Sequence, residues 1–278
     1  MNYKIIVDSC CELREEYKDD PRFEIIPLSI EVDGYTIQDD AEFDQADLLA
    51  RMAASPECPK SACPAPAAYM EAYRTEADHV YVVTLSSKLS GSYNSAMVGK
   101  EMYEEEYGPK NIHIVDSETA SCGELQIVEE LIRLEEKSLS FEDIVKKIEH
   151  FRSNVKTYFV LDNLDTFIKT GRIKGMEKLL ACKLNIKPVL TGVKGVIAKK
   201  DQGIGMGKAL NKLVDHIVEE LKDKHERVLM ISHCNAPERA EKVKQMILSK
   251  CHFDKVIVVN MRGISSMYAN NGGIIVTV

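Results

Sequence analysis

The amino-acid sequence predicts an α/β protein of two domains: an N-terminal parallel sheet with helices on both faces, and a C-terminal α+β domain with a mixed sheet. Two observations support this prediction. Short apolar runs alternate with amphipathic stretches through the first half, which is typical of strand–helix–strand units in a parallel sheet. The length of 278 residues suits two domains, at about 100–200 residues each.

Residues 1–154 form the predicted N-terminal domain. Three runs in it are apolar and too short for helices, as expected of strands buried on both faces of a sheet: YKIIVD (3–8), HVYVVTL (79–85) and NIHIVD (111–116). Helices are predicted between and after them over 64–77, 92–107, 119–137 and 140–152. The second of these ends at Gly108-Pro109, because glycine favours the position after a helix and proline cannot continue one.

A small β insertion is predicted over about 23–40 of this domain. Its two β-rich segments flank Asp33-Gly34, and an Asp-Gly pair between such segments is a strong hairpin signal. We therefore expect a β-hairpin added to the first domain.

Residues 155–278 form the predicted C-terminal α+β domain. It begins with the strand KTYFVLD, followed by a short helix and a glycine turn in NLDTFIKTGRI and a further helix in MEKLLACKL. The segment NIKPVLTGVKGVIAKKD then predicts two strands joined at Lys194-Gly195. The predicted domain is completed by a helix (206–223), a strand (227–233), a helix (236–249), a strand (254–260) and the final strand GGIIVTV.

Composition and charge exclude several classes of protein. No run approaches the ~18 apolar residues of a transmembrane helix, and the N-terminus turns polar within eight residues, unlike a secretory signal. The eight cysteines are scattered without a C-x-x-C pair, so we expect no zinc site or redox motif, but reduced thiols in a cytoplasmic protein. The net charge of −8 disfavours nucleic acid as a partner.

One segment departs from this acidic balance. Residues 169–200 contain eight lysines, Arg172 and a single acid, Glu177, so they carry +8 while the rest of the chain carries −16. Such a segment is either a docking face for a partner protein or an ordinary solvated surface, and the sequence leaves both interpretations open.

A turn rich in hydroxyl groups, SSKLSGSYNSA (86–96), joins one predicted strand to the next helix. In an open α/β sheet, ligands bind beyond the carboxyl ends of the strands, and the free N–H groups of a helix N-terminus attract anions. Ser90 and Gly91 are therefore candidate binding residues for an oxyanion. The alternative is that Ser90 or Ser92 only caps the helix and that Gly91 only permits the turn.

The same turn also raises the alternative of a serine nucleophile. A hydrolase elbow has the pattern G-x-S-x-G, of which LSGSY lacks the first glycine. His233 ends the predicted strand RVLMISH and is the candidate base for Ser90. A serine-dependent esterase or acyl-transfer enzyme is thus the competing hypothesis, although a core or capping histidine is the simpler interpretation of His233.

Two further segments supply candidate site residues. CPKSACPAPAAY (58–69) is a loop stiffened by prolines with Ser61 as its main hydroxyl, and on its own it indicates only a proline-rich connector. DTFIKTGRIKG (165–175) places Arg172 between two glycines of a turn, where its guanidinium either binds a carboxylate or phosphate or is simply solvated. The sequence contains no phosphate-binding glycine loop and no acidic cluster with metal spacing, so we predict no cofactor and no metal.

Together these segments resemble the DegV family. In order, they are a strand ending in Asp-Ser, a β insertion, a proline-flanked hydroxyl loop, SSKLSG before a helix, IVDSETAS (114–121), DTFIKTGRIKG and LNIKPVLTGVKG (184–195). The resemblance spans nearly the whole chain. It implies a carrier without catalysis of its own that binds one long-chain fatty acid in a buried tunnel between its domains. It also implies delivery of that acid to a separate ATP-dependent fatty-acid kinase. Because the basic 169–200 region flanks Arg172, this region is a candidate docking face for such a kinase, with a solvated surface as the alternative.

The resemblance also implies roles for individual residues. The family's carboxylate-holding serine corresponds to Ser90, which precedes Gly91. The family's loop hydroxyl corresponds to Ser61, and the arginine of its GRI turn corresponds to Arg172. These assignments agree with hydroxyl donors at a helix start that face an anion.

Two departures from the family pattern concern the carboxylate. The hydroxyl loop, which commonly has two threonines, has the sequence KSAC (60–63) in this chain. Ala269 occupies a place where many kinase-linked members carry a histidine. We therefore expect the carboxylate to have one polar partner fewer.

Overall fold

The computed structural model of the chain describes residues 2–173, 185–221 and 228–278. Within these residues the strands form a parallel sheet of four, a mixed sheet of six and a small antiparallel sheet of three. The predicted fold class, with a parallel sheet in the first half and a mixed sheet in the second, is confirmed. None of the described helices combines the length and the apolar character that a bilayer crossing requires.

The elements are numbered in chain order. The strands of the first half are β1 (Tyr3–Asp8), β2 (Phe23–Ile26), β3 (Ser29–Val32), β4 (Tyr35–Gln38), β5 (Lys60–Ala62), β6 (His79–Thr84) and β7 (Ile112–Asp116). The strands of the second half are β8 (Thr157–Val160), β9 (Ile186–Val193), β10 (Val196–Ile204), β11 (Val228–His233), β12 (Lys255–Asn260) and β13 (Ile274–Thr277). The helices are α1 (Gln45–Ala54), α2 (Pro66–Ala72), α3 (Ser92–Tyr107), α4 (Cys122–Glu135), α5 (Phe141–Asn154), α6 (Asp165–Lys169), α7 (Met206–Glu220), α8 (Pro237–Leu248) and α9 (Gly263–Ala269).

The four-stranded sheet has the order β2-β1-β6-β7, and all its neighbouring strands are parallel. Helices cover both of its faces. Ile5 and Val7 of β1 pack with residues of α4 and α5, whereas Ile6 packs with residues of α2 and α3. Because both faces are buried, these strands are mainly apolar, with polar residues such as Lys4, Glu24 and His113 at partly buried positions.

The structure corrects the predicted β insertion over 23–40. Phe23–Ile26 is β2, which pairs in parallel with β1 and belongs to the main sheet. The hairpin consists of β3 and β4 and turns at Asp33 and Gly34, whose φ angles of 49° and 76° fit the predicted Asp-Gly turn. The third strand of the small sheet is β5, so Ser61 lies on a strand paired with β3 rather than in a free loop.

The six-stranded sheet has the order β10-β9-β8-β13-β11-β12. Only β11 and β12 are parallel neighbours among the described strands of this sheet, which is what makes it mixed. Helices α7 and α8 pack on one face. Helix α4 packs on the other, where the Cys122 thiol contacts the carbonyl oxygens of Met230 and Ile275. Since α4 also packs on the first sheet, it is buried on nearly all sides.

Two helices predicted in the first half are shorter in the structure than in the prediction. The stretch predicted over 64–77 is helical over Pro66–Ala72, and the stretch predicted over 119–137 is helical over Cys122–Glu135. Ser121, at φ 58° and ψ −128°, lies outside helical geometry and sets the start of the second of these. Helix α9 is present in the structure but was not predicted from the sequence. The predicted helix MEKLLACKL (176–184) lies outside the described residues.

Candidate ligand-binding site

A cavity of about 310 Å³ lies between the two halves of the chain. One wall comes from the carboxyl ends of three parallel strands: Cys10 follows β1, Leu85 follows β6 and Ala120 follows β7. The opposite wall comes from the second sheet, with Phe159 of β8 and Ile275 of β13. The cavity therefore lies beyond the carboxyl edge of the parallel sheet, which is the expected ligand position in an open α/β fold.

The four binding residues predicted from the sequence all lie on the wall of this cavity: Ser61, Ser90, Gly91 and Arg172. Most of the remaining wall is apolar and includes Leu28, Leu85, Leu89, Phe159, Leu161, Phe167, Val196, Ile197, Ile264 and Ile275. The volume is at the lower end of the ~300–1,000 Å³ that is typical of small-molecule pockets. A largely apolar cavity that also presents hydroxyl groups and the Arg172 guanidinium suits an amphiphilic anion, and the Glu118 carboxylate on the same wall is paired with Arg152 at 3.1 Å.

Ser90 is positioned by the turn that leads into α3. Its amide donates to the carbonyl of Ser86 at 3.1 Å, which closes one turn of chain after β6. Its Oγ accepts the amide of Ser92, the first residue of α3, at 3.2 Å. Since that amide occupies a lone pair, the hydroxyl proton of Ser90 is left to donate elsewhere. The two interpretations that the sequence left open, a helix cap and an anion donor, are therefore compatible.

A buried carboxyl group, Asp8, supports this turn from behind. Its side chain accepts the Ser92 hydroxyl at 2.6 Å and the amides of Leu85 and Cys10 at 2.9 and 3.1 Å. Burial raises the pKa of Asp8 to about 6, against the lowering effect of these hydrogen bonds. Asp8 thus holds the end of β6 and the start of α3 in place.

Asp8, Cys10 and Glu124 form a fully buried cluster whose side-chain ligand atoms lie within 4.8 Å of one another. Burial, and then the charge of Asp8, raise the pKa of Glu124 well above its usual range, and burial does the same for the Cys10 thiol. Glu124 is therefore a neutral acid beside Asp8 at neutral pH.

Gly91 brings the serine turn into contact with the segment that carries Ser61. A Cβ added at Gly91 would lie only 3.0 Å from the Cys63 Sγ, so a side chain at this position would press against that sulfur. Ser61 is two residues before Cys63, on β5. The hydroxyl oxygen of Ser61 is 3.3 Å from the phenol oxygen of Tyr268 on α9. The cavity wall is thus continuous from the first half of the chain into the second.

The same wall closes through the turn that carries Arg172. The rings of Tyr268 and Phe167 pack with their centroids 4.8 Å apart. The backbone amide of Arg172 donates to the Phe167 carbonyl at 2.9 Å. The side-chain Nε of Arg172 lies 3.4 Å from the carbonyl oxygen of Leu89, the neighbour of Ser90. These contacts form a ring around one part of the cavity. The ring combines the hydroxyls of Ser61, Ser90 and Tyr268 with the positive charge of Arg172.

Tyr268 is a candidate residue that the sequence analysis missed. It lies on α9, which has only seven residues and no clear helical pattern in the sequence. The neighbouring Ala269 lies on the cavity wall as expected, and its methyl group offers no hydrogen bond. Only the position of α9 in the tertiary structure brings the Tyr268 phenol beside Ser61.

The structure does not bring His233 to the cavity with Ser90. Its Nδ1 accepts the amide of Ala236 at 3.2 Å, which is a capping contact at the end of β11. Burial lowers the pKa of His233, so the ring is neutral at physiological pH. In the ranges that the structure describes, no histidine lines the cavity that contains Ser90. The simpler interpretation of His233, as a capping residue, therefore fits its contacts.

The basic segment 169–200 is only partly covered by the described residues, because Lys174, Lys178 and Lys183 lie outside them. In its described part, exposed lysines occur on the β9–β10 hairpin at Lys194, Lys199 and Lys200. The turn of this hairpin contacts the serine turn, since the Ser86 hydroxyl donates to the Gly195 carbonyl at 2.8 Å. Exposed positive charge therefore lies on a hairpin that also borders the cavity.

Comparison with known proteins gives one consistent relationship. A family model described as "Uncharacterised protein, DegV family" matches residues 2–277. A DegV domain-containing protein from Streptococcus gordonii is 34% identical over 280 residues, which cover 99% of this chain and 98% of the relative.

Two solved structures extend the relationship to three dimensions. A DegV family protein from Ruminococcus gnavus, refined with vaccenic acid, is 43% identical with a TM-score of 0.97 over 100% of this chain and 99% of the other. The fatty acid kinase B3 protein of Streptococcus pneumoniae, loaded with linoleic acid, is 29% identical with a TM-score of 0.90 over 100% and 99% of the two chains. Both similarities therefore cover the complete fold, including both sides of the cavity.

Proposed function

Because this chain belongs to the DegV family, we propose that it binds one long-chain fatty acid in the cavity between its two halves. The observation that carries the proposal is the composition of the cavity wall, which is mostly apolar and whose polar part includes the ring of Ser61, Ser90, Tyr268 and Arg172. The fatty acids in the structures of the Ruminococcus and Streptococcus relatives support the same ligand class.

The energetics of an acyl chain suit this cavity. Burial of about 16 carbons at ~0.8 kcal/mol per CH₂ stabilises the complex by a gross ~12 kcal/mol, of which association and ordering offset a part. A carboxylate cannot enter an apolar cavity without hydrogen-bond partners. The hydroxyls of Ser90 and Ser61 act as those partners, with Arg172 supplying a positive charge at the same ring.

The proposed role is that of a carrier that presents the acid to a separate fatty-acid kinase. Support comes from the Streptococcus pneumoniae relative, whose name assigns it to a fatty acid kinase. The lysines on the β9–β10 hairpin form the docking face within the described part of the basic segment. Because docking is separate from lipid binding, charge reversal there should slow acyl-phosphate formation and leave fatty-acid affinity unchanged.

The lipid proposal is tested by native mass spectrometry of the purified and of the delipidated chain. We expect one fatty acid per chain, released by organic extraction as the free acid, and uptake of added palmitic acid by the delipidated chain. If the delipidated chain is folded and takes up no fatty acid, the carrier proposal is wrong.

The kinase proposal is tested by acyl-phosphate formation with ATP and a fatty-acid kinase catalytic subunit. The double variant Lys194→Glu, Lys200→Glu should slow this reaction. The matched control reverses Lys146 and Lys147, which lie on α5 away from the cavity. Equal rates for the wild type and both variants would contradict docking through the hairpin.

A further inference from the structure

Helix α9 is held against the first half of the chain by two buried carboxyl groups. Asp39 accepts the amides of Gly263 and Ile264 at 2.8 and 2.9 Å, and Glu12 accepts the amide of Arg262 at 2.7 Å. Asp39 and Glu12 are at most 1% exposed. Because these contacts join residues more than 200 positions apart, α9 has a defined position relative to the small sheet that carries Ser61.

Tyr268 extends from this fixed helix to the cavity. Its ring packs on Phe167, and its phenol oxygen lies 3.3 Å from the Ser61 hydroxyl, on the opposite side of the junction between the two halves. All three side chains line the cavity. Packing on Phe167 limits the positions that the phenol can adopt, so the hydroxyl pair is a preformed feature of the wall.

The number of protons in this pair decides what it can bind. Ser61 and Tyr268 each carry one O–H donor, and each oxygen can also accept. Only one of the two protons is used when they bond to each other, whichever of them donates. The second proton is therefore available to an acceptor inside the ring, and a carboxylate accepts several such bonds.

We propose that Tyr268 is a binding residue for the ligand carboxylate and that, paired with Ser61, it selects free fatty acids over neutral lipids of the same length. This inference rests on the proposed fatty-acid binding and names one group that gives it specificity. A hydrogen bond to a charged acceptor is stronger than one to a neutral acceptor. The Tyr268 proton therefore contributes more to binding of a carboxylate than to binding of an alcohol.

The test compares palmitic acid with 1-hexadecanol on the delipidated full chain, by displacement of a fluorescent fatty-acid probe. Tyr268→Phe removes only the phenol oxygen and keeps the ring against Phe167. We expect its affinity for palmitic acid to fall about tenfold or more and its affinity for hexadecanol to change less than about twofold. Tyr103→Phe, on α3 and away from the cavity, is the matched control and should change neither affinity.

A double-mutant cycle adds a second measurement. Because Ser61 and Tyr268 share one hydrogen bond, the effects of Ser61→Ala and Tyr268→Phe on palmitic-acid affinity should not be additive. Equal loss of affinity for acid and alcohol in Tyr268→Phe would mean that the phenol does not distinguish the two head groups, and unchanged affinity for both would mean that the phenol oxygen makes no contact with the ligand. Either result overturns the inference. Failure of the wild type to bind palmitic acid would overturn the fatty-acid proposal on which it depends.

Discussion

Replacement of Ser90 by alanine tests the assignment of the serine turn most directly. The change removes one hydroxyl oxygen, and with it the proposed donor to the ligand carboxylate. It also removes the acceptor of the Ser92 amide, a 3.2 Å contact at the start of α3. The two losses act on different quantities, ligand affinity and the free energy of unfolding, so they can be measured separately.

The expected magnitudes differ as well. A hydrogen bond to a charged group contributes about 1.5–3 kcal/mol, so the dissociation constant for palmitic acid should rise about 10-fold to 150-fold. Ser90 is only half-buried, so water can replace the lost acceptor of the Ser92 amide. The free energy of unfolding should therefore fall by no more than about 1 kcal/mol, as for loss of an ordinary helix cap.

The assay is titration of the delipidated chain with palmitic acid, together with urea unfolding of the ligand-free chain. Ser87→Ala is a matched control, because Ser87 lies in the same turn but not on the cavity wall. It should leave the dissociation constant unchanged. An unchanged affinity in Ser90→Ala, or an equal loss in both variants, would refute the role given to Ser90.

Three further outcomes are expected. Burial raises the pKa of Glu12 from its ordinary 4.5 to about 8, so between these pH values the folded chain binds a proton that the unfolded chain has lost. The free energy of unfolding should therefore fall as pH rises from about 4.5 to about 8, and Glu12→Gln should flatten part of that fall in urea melts. An identical pH profile in Glu12→Gln and the wild type would contradict this role of Glu12. Gly195→Ala should lower the free energy of unfolding by about 1–3 kcal/mol, because φ is +77° and the new Cβ would overlap the Ser86 hydroxyl. The control Gly34→Ala has a similar φ of +76° but no atom within 4 Å of the new Cβ, so it should lower the free energy of unfolding less in the same urea melts. Arg172→Leu should weaken palmitic-acid binding about threefold to tenfold and make the affinity less dependent on salt concentration. Arg172→Lys keeps the positive charge, so it should keep the salt dependence of binding. Equal salt dependence in Arg172→Leu and the wild type would contradict a role for the Arg172 charge.

Local patterns in the sequence determined much of the fold. The strands β1, β6 and β7 are predictable because a strand covered on both faces is mainly apolar, which gives a short apolar run in the sequence. The β3–β4 turn is predictable because Asp33 and Gly34 tolerate positive φ angles. The position of Ser90 and Gly91 between a strand and a helix is likewise a local property, and the structure places both on the cavity wall.

Long-range pairing was decided only by the tertiary structure. β2 was expected in the β insertion, but it completes the main sheet, since four residues carry too little pattern to specify a neighbour. β5 pairs with β3 across about thirty residues of chain, which no local signal reports. Glu124 is a charged residue in the first turn of α4 yet is fully buried, because the packing of α4 places its carboxyl group beside Asp8 and Cys10 at the end of β1.

The candidate site follows the same division. Ser90 and Arg172 could be named from the sequence because each sits in a recognisable turn, whereas Ser61 was assigned through the family resemblance. Tyr268 could not, because its place beside Ser61 depends on buried acids that hold α9 from 220 and more positions away along the chain. The sequence by itself determined which segments supply hydroxyl groups and a positive charge. Only the packing of the two halves decided which of those groups face one cavity, because the contacts that bring them together are formed by residues distant in the chain.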